Sequence, residues 1–279
     1  MTTLTVAQAA PLLKKEHQDG RLIPFLGAGF SKPLKLPDGS QLIASLAKKL
    51  GFEPDLFELH GRFEQLAEYF ALSGSGRLQQ LVYEMTRSFD SDEAEALRKK
   101  SRTHQALAAL DWRTVYTTNY DKHAEGALQD AGKKVAVLAS FADFQGAREP
   151  GACEVIKFHG TLAQPATIVL TESSYFQRMT LEAPADQRLR SDLLSNSFLF
   201  IGYSFSDFNI RYIWYRMHQL RRQSQQQGPT RVPPRRCFFA THGAGLVQPD
   251  ILAQWNIDVI QLDPTDKSAS VAQLLESIR

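Results

Sequence analysis

Two short motifs place polar side chains directly after apolar runs that predict strands. Residues 115–118 favour β-structure and lead straight into Asn119 and Asp121. The run "EVIKFHG" likewise ends in His159 and Gly160. In an open parallel sheet the ligand crevice lies beyond the carboxyl ends of the strands, so we expect His159 and Asn119 to face one cavity. A single histidine at such a place more often packs or hydrogen-bonds than acts as a base, so this pattern alone leaves both roles open.

A glycine-rich turn follows an earlier apolar run, in the stretch "FLGAGFSKP". Gly27 and Gly29 flank Ala28, and Ser31 follows two residues later. Glycines at a strand-to-helix turn let backbone N–H groups approach a pyrophosphate, and the N-terminus of the next helix adds a favourable dipole. The spacing differs from the usual dinucleotide fingerprint, because the third glycine would fall at Lys32. A tight turn needed only for packing explains the glycines equally well.

A fourth run ends in "IGYSFSDFNIRYIW", which adds Gly202, Ser204 and Asp207. Asp207 precedes a stretch with helical periodicity, so a helix N-cap is the simplest role for it. The four motifs are more informative together than any one of them is alone. Four successive predicted strands end in small or polar residues, and such an arrangement indicates one ligand site at a single edge of a sheet.

The elements that must position these residues follow the pattern of an α/β fold. Six apolar runs predict strands: "RLIPFLGAG", "RTVYTTN", "EVIKFHG", "SFLFIGYS", "RRCFFATHG" and "IDVIQLD". Stretches of helical periodicity separate them, which predicts a parallel sheet with crossover helices. The segment between the first two runs is too long for one crossover and predicts an inserted helical subdomain at about 40–110. A smaller helical excursion is expected at about 171–196.

Composition excludes several classes of protein. The net charge of +2, from 32 basic and 30 acidic residues, predicts no general attraction to nucleic acid or membrane. Cys153 and Cys237 are too few for a disulfide framework or a four-ligand zinc site. The first twenty residues lack the pattern of a signal peptide, and no window has the length and hydropathy of a membrane span. We therefore expect a cytoplasmic protein.

Taken together, the four motifs resemble a known family. "GAGFSKP", "TTNYD", "KFHG" and "FIGYSFSD", in that order and at these spacings, are similar to the SIR2-like domains, relatives of the sirtuins. The resemblance covers about residues 20–215. It implies a doubly wound, Rossmann-like parallel sheet that binds NAD, and it favours one domain over residues 1–279.

The resemblance also implies roles for individual residues. It assigns cofactor binding to Gly27, Ala28, Gly29, Ser31, Asp121, Gly202, Ser204 and Asp207. It assigns catalysis to Asn119 and His159. Asn119 would orient a ribose hydroxyl or a water molecule, Asp121 would hydrogen-bond the carboxamide of nicotinamide, and His159 would be the base near the ribose.

Two departures separate this chain from the protein deacylases of the sirtuin type. Those enzymes carry a zinc module with paired cysteines, which Cys153 and Cys237 cannot form. Where a Pro–Asp–Phe–Arg run is expected, "LPDGSQL" keeps Pro37 and Asp38 but not the next two residues. These features are closer to the prokaryotic SIR2-like branch associated with anti-phage defence, whose members resemble NAD hydrolases.

The sequence therefore predicts an NAD glycohydrolase that uses NAD as its substrate, needs no metal, and releases nicotinamide and ADP-ribose. The scissile bond joins a cationic pyridinium to an anomeric carbon, so the leaving group departs neutral and needs no acid. Two alternatives remain open at this point. One is an NAD-dependent protein deacylase, and the other is a non-enzymatic module that binds NAD or ADP-ribose as a signal.

A basic segment adds a hypothesis about partners. No acidic residue occurs from Phe208 to Pro249, and arginines accumulate there: Arg211, Arg216, Arg221, Arg222, Arg231, Arg235 and Arg236. The segment fits a solvated helix face followed by a flexible loop, and a direct nucleic-acid contact is not favoured because no aromatic pattern accompanies it. A third interpretation is a docking site for an acidic surface, which predicts a homo-oligomer or a complex with a regulatory protein.

Overall fold

A sheet of eight parallel strands forms the centre of the computed structural model, which describes residues 3–203, 208–226, 236–243 and 245–279. In chain order the strands are β1 (Leu4–Thr5), β2 (Leu22–Leu26), β3 (Thr114–Thr117), β4 (Val135–Leu138), β5 (Cys153–Lys157), β6 (Ser197–Ile201), β7 (Cys237–Thr241) and β8 (Ile257–Gln261). Their order across the sheet is β1-β8-β7-β6-β2-β3-β5-β4. The predicted α/β class with a Rossmann-like parallel sheet is confirmed.

Helices connect the strands and cover the sheet. They are α1 (Val6–Gln18), α2 (Gly39–Leu50), α3 (Pro54–Glu58), α4 (Phe63–Leu72), α5 (Arg77–Phe89), α6 (Asp92–Lys100), α7 (Arg102–Ala108), α8 (His123–Asp130), α9 (Phe141–Gln145), α10 (Glu172–Arg178), α11 (Pro184–Ser195), α12 (Phe208–Gln226), α13 (Gln248–Gln254) and α14 (Lys267–Glu276). A 3₁₀ helix at Ala28–Leu34 follows β2 directly.

The central strands are apolar because both of their faces are covered. Every residue of β2 and of β6 is buried. Neighbouring side chains alternate between two cores, so that Phe25 joins the cluster with Phe200 and Trp214, and Leu26 joins the cluster on the opposite face. Two-sided burial therefore explains the continuous apolar runs in the sequence.

The strand order reverses beside β2. The chain leaves β2 for β3 on one side and returns as β6 on the other side, in register from Leu22 with Ser197 to Leu26 with Ile201. Connections then run away from this point in both directions, which opens a crevice outside the carboxyl ends of the strands. The topology thus places a ligand site beside the turn that follows β2.

The helices α2–α7 lie between β2 and β3 in the chain, and part of this region has a core of its own. Leu46, Phe70 and Met85, from α2, α4 and α5, belong to a cluster separate from the two cores of the sheet. Leu162 and Leu170, from the segment after β5, complete that cluster. The predicted division of the chain into one domain with two helical insertions stays a prediction.

Some residues with predicted roles fall outside the described ranges. Ser204 and Asp207 are among them, as are Arg231 and Arg235. Among the helices that the structure describes, none is long and apolar enough to cross a bilayer.

Candidate active site

A cavity of about 1250 Å³ lies at the carboxyl ends of the strands, and helices α2, α3 and α4 also line it. Five strands contribute a residue that lies within three positions of the strand end: Gly29, Asn119, His159, Gly202 and His242. Pockets for small ligands usually measure about 300–1,000 Å³, so this one has room for a dinucleotide. The structure therefore brings the glycine turn, Asn119 and His159 to one cavity.

The glycine turn packs backbone to backbone against the turn after β6. The Gly29 N–H donates to the Gly202 carbonyl oxygen at 2.8 Å. A Cβ on Gly29 would lie 2.8 Å from that oxygen, and a Cβ on Gly27 would lie 2.5 Å from it. Gly202 has φ +64°, and a Cβ there would lie 2.1 Å from the Phe30 nitrogen. Contact between the two turns thus accounts for these three glycines, whereas Ala28 is exposed and lines the cavity.

Asn119 is held by both hydrogens of its side-chain amide. Its Nδ2 donates to the Gly27 carbonyl oxygen at 3.2 Å and to the Ser31 hydroxyl at 3.1 Å. Its backbone N–H donates to the Thr117 hydroxyl at 3.0 Å. The Oδ1 atom has no hydrogen-bond partner within the described residues. Asn119 can therefore serve a ligand or a water molecule only as an acceptor.

Asp121 is largely buried in the cavity wall and supports the loop. One carboxylate oxygen accepts the His123 N–H at 2.9 Å, and the other accepts the Ser31 hydroxyl at 3.2 Å. Its main-chain carbonyl accepts from the buried Lys157 ammonium, which also donates to Glu125 at 3.2 Å. Asp121 lines the cavity, and each carboxylate oxygen retains a second lone pair for a ligand.

His159 is 3% exposed and sits at a sharp turn after β5. Its Nδ1 lies 3.4 Å from the Tyr175 hydroxyl, and the two rings meet edge to face with centroids 5.2 Å apart. The turn requires Gly160, which has φ +82° and whose Cβ would lie 2.2 Å from the Thr167 carbonyl oxygen. The backbone geometry of the turn thus explains Gly160, and the place of His159 in the cavity wall gives that histidine access to a ligand.

Several polar residues of this cavity had no site role predicted from the sequence, and Tyr175, Arg211 and His242 are among them. The Nε2 of His242 lies 2.9 Å from the Ser270 hydroxyl, and desolvation by burial lowers the pKa of His242 below its ordinary value. A signal for His242 was present, because "FFATHG" repeats the pattern of "KFHG" after a buried run. Tyr175 had no such signal, since it lies within helix α10.

The charges around the cavity are mixed. Lys32, Arg62 and Arg211 supply the cationic side chains, and carboxylates come from Asp38, Glu58, Glu64 and Asp121. One of these carboxylates is a helix cap, because Asp38 accepts the Gln41 N–H at 3.0 Å. The three cations give the cavity donors for the phosphates of a dinucleotide.

The two cysteines are far apart in the sheet. Cys153 lies in β5 and Cys237 in β7, with β3, β2 and β6 between those strands. Both are buried thiols that form no disulfide, and desolvation raises the pKa of Cys153 to about 12. This separation excludes a metal site that uses both of them.

Comparisons with known proteins point to one family. The family model for a SIR2-like domain matches residues 113–260. The NAD(+) hydrolase ThsA of Cytobacillus dafuensis is 34% identical over 209 residues, which make up 75% of this chain and 40% of that protein. ThsA of Acinetobacter baumannii is 30% identical over 76% of this chain and 42% of its own length. The Defense-associated sirtuin 2 of Bacillus subtilis is 22% identical over 78% of this chain and 21% of its own length. This chain thus spans about two fifths of the length of the ThsA relatives.

Proposed function

The chain belongs to the SIR2-like domain family, and from that premise we propose that it is an NAD glycohydrolase, which cleaves NAD to nicotinamide and ADP-ribose. One observation carries the proposal: a fixed amide, Asn119, and a histidine, His159, line the same cavity as the glycine turn after β2. The relatives named NAD(+) hydrolase ThsA, which match three quarters of the chain, support it.

The topology suggests how NAD would lie. The pyrophosphate belongs beside the turn after β2, where the strand order reverses. The nicotinamide half would extend over β3 and β5, toward Asn119 and His159, and the adenosine half would extend over β6 and β7, toward Gly202 and His242. We also propose that Ser204 and Asp207 help to hold the adenosine half. This part of the proposal rests on the family resemblance alone.

The chemistry follows from the donors and acceptors at the nicotinamide end. Loss of nicotinamide leaves an oxocarbenium-like ribosyl centre, so the site must supply and orient a nucleophile rather than an acid. Because both hydrogens of the Asn119 amide are bound within the protein, its Oδ1 would accept a hydrogen bond from the attacking water or a ribose hydroxyl. His159 would take the proton, and Asp121 would accept the N–H of the carboxamide.

The purified chain tests this function directly. Incubation with NAD should release nicotinamide and ADP-ribose, which chromatography separates. His159→Gln should lower the rate about 10²-fold or more, because a positioned base contributes about 10²–10⁴. Gln is chosen rather than Ala because His159 is buried against Tyr175 and Phe158, and truncation to Ala would leave a cavity. Binding of NAD without any turnover would favour the binding module instead.

We also propose a setting for the activity. The protein would act in the cytoplasm as an anti-phage defence effector, in a homo-oligomer or in a complex with a regulatory partner. The name of the B. subtilis relative, Defense-associated sirtuin 2, supports the role in defence. The basic segment supports assembly with a second copy or a partner, although two of its arginines have contacts elsewhere. Arg211 lines the cavity, and Arg236 donates to Asp258 at 2.6 Å.

The partner proposal is therefore best tested at Arg221 and Arg222. Replacing both by Glu should weaken assembly, and higher salt should weaken assembly of the parent in the same way, because the contact would be electrostatic. Replacing the exposed Arg87 and Lys99 by Glu is a control with the same change in charge on α5 and α6. Light scattering measures the assembly. Equal assembly of both double variants would remove the basic segment from the interface.

A further inference from the structure

Tyr175 makes a direct contact with the proposed base. Its hydroxyl lies 3.4 Å from Nδ1 of His159, at the long end of hydrogen-bond distances. The rings are inclined by 70°, so that one presents its edge to the face of the other. Both side chains line the cavity. The contact involves a residue of the crossover from β5 to β6, to which neither the motifs nor the family resemblance gave a role.

The N-terminus of α10, the helix that carries Tyr175, is tied to helix α4. Glu68 of α4 accepts the Ser173 N–H at 2.9 Å, and Gln65 of α4 donates to Glu172 at 2.9 Å. Thr171 caps the helix by accepting the Ser174 N–H at 3.4 Å. The start of α10 is thus held by its own cap and by helix α4.

The other end of α10 is tied to the residue that precedes His159. Arg178 donates to the Phe158 carbonyl oxygen at 2.7 Å, and its guanidinium stacks over the Phe158 ring at 4.6 Å. The same guanidinium forms an ion pair with the fully buried Asp186, with Nε 2.9 Å from Oδ2. Because both ends of α10 are fixed, the Tyr175 hydroxyl has a defined position relative to the imidazole.

This geometry bears on the proton of the imidazole. A neutral imidazole carries one proton, and its other nitrogen holds the lone pair that a base needs. We propose that Tyr175 is a positioning residue for His159: its hydroxyl oxygen accepts the proton on Nδ1, which orients the ring and leaves the lone pair of the neutral form on Nε2. The use of that lone pair rests on the proposed function, whereas the tautomer itself can be measured without any turnover.

The first test observes the tautomer of His159. Two-bond proton–nitrogen spectra of the full chain labelled with ¹⁵N-histidine, recorded above neutral pH, distinguish the two neutral forms, and His159→Gln identifies the signals of that ring. We expect the Nδ1–H form in the parent and a shift toward Nε2–H in Tyr175→Phe, which keeps the ring and removes only the hydroxyl. A parent in the Nε2–H form, or an unchanged spectrum in Tyr175→Phe, would overturn the proposal.

Tyr116→Phe is the matched control. It also removes a tyrosine hydroxyl, one that donates to Asp192 at 2.8 Å and not to His159. The His159 signals should remain those of the parent in this variant. The same shift in both variants would mean that any loosening of the core changes the tautomer, and the specific role of Tyr175 would be lost.

The second test separates positioning from ligand binding. In nicotinamide release, Tyr175→Phe should lower kcat about tenfold and leave KM within about twofold, since the hydroxyl would act through His159 and not on NAD. An unchanged kcat would contradict the proposal, as would a raised KM at constant kcat. If the parent releases no nicotinamide at all, the proposed function fails, and the spectra still decide whether Tyr175 sets the tautomer.

Discussion

At the scale of single residues, Ala28 and Gly29 are neighbours under different constraints. Ala28 faces the cavity, so Ala28→Leu should weaken NAD binding at least tenfold, about 1.4 kcal/mol, and leave the thermal transition unchanged. Gly29→Ala should instead destabilise the fold by about 1–3 kcal/mol, because the new methyl group would meet the Gly202 carbonyl oxygen at 2.8 Å. Calorimetry with NAD in the His159→Gln background and thermal denaturation measure the two effects.

The two variants control for each other. If Ala28→Leu binds NAD like the parent, the turn after β2 is not part of the ligand site. If Gly29→Ala has the stability of the parent, the close contact between the two turns does not constrain the chain.

The residues of the site differ in how far their positions could be predicted. Asn119 and His159 follow buried runs, and the carboxyl ends of parallel strands must meet, so a common cavity was predictable from the sequence. The contacts that hold these two side chains in place could not be predicted from the sequence. Ser31 and Tyr175 reach these residues across the fold, and contacts between distant segments leave no periodicity in the sequence. The roles of all these residues stay predictions.

At the scale of elements, the loop after β3 depends on a buried ion pair. Lys157 of β5 has no exposed side-chain surface, and its partner Glu125 of α8 has 7%. Lys157→Met would leave that carboxylate buried without a counter-charge, so we expect a loss of about 3–5 kcal/mol in the free energy of unfolding. Urea denaturation measures it.

The double variant Lys157→Met with Glu125→Leu is the matched comparison. Because it removes both charges, most of the lost stability should return. Equal losses in the single and double variants would show that the ion pair does not support this loop.

Elements at the centre of the sheet were easier to predict than those at its edges. Six strands appeared in the sequence as apolar runs, because two covered faces require apolar residues throughout. The strands β1 and β4, at the two edges, were missed. β1 has two residues, and three of the four residues in β4 are only half-buried, so neither needs a long apolar run.

At the scale of the whole molecule, a buried histidine makes stability depend on pH. His104 has no exposed surface, lies against the Phe30 ring, and has its Nδ1 2.9 Å from the Ser101 hydroxyl. Desolvation by burial lowers the pKa of His104 from 6.5 to about 4. The unfolded chain binds this proton more readily than the folded chain does. The contribution of His104 to the free energy of unfolding is therefore complete above pH 6.5, and it decreases by about 1.4 kcal/mol per pH unit as the pH falls toward 4.

Urea denaturation across this range tests the dependence. His104→Phe keeps a ring against Phe30. The slope of the free energy of unfolding against pH should then correspond to about one proton fewer taken up on unfolding. His60→Phe, at an exposed position, serves as the control. A slope that is the same in His104→Phe as in the parent would mean that His104 does not remain neutral in the folded protein.

The pairing of β2 with β6 has a consequence for the order in which the chain is made. The turn after β2 is completed by Gly202, and the cavity also needs residues that follow β7. At about 5–20 residues per second, a ribosome adds β6 roughly ten seconds or more after β2. Until then the glycine turn has no partner and the strand order has no reversal, so a nascent or prematurely terminated chain holds no site for NAD. If the chain hydrolyses NAD as proposed, a host would be spared that activity until β6 and the turn after β7 have been made, because those segments complete the cavity.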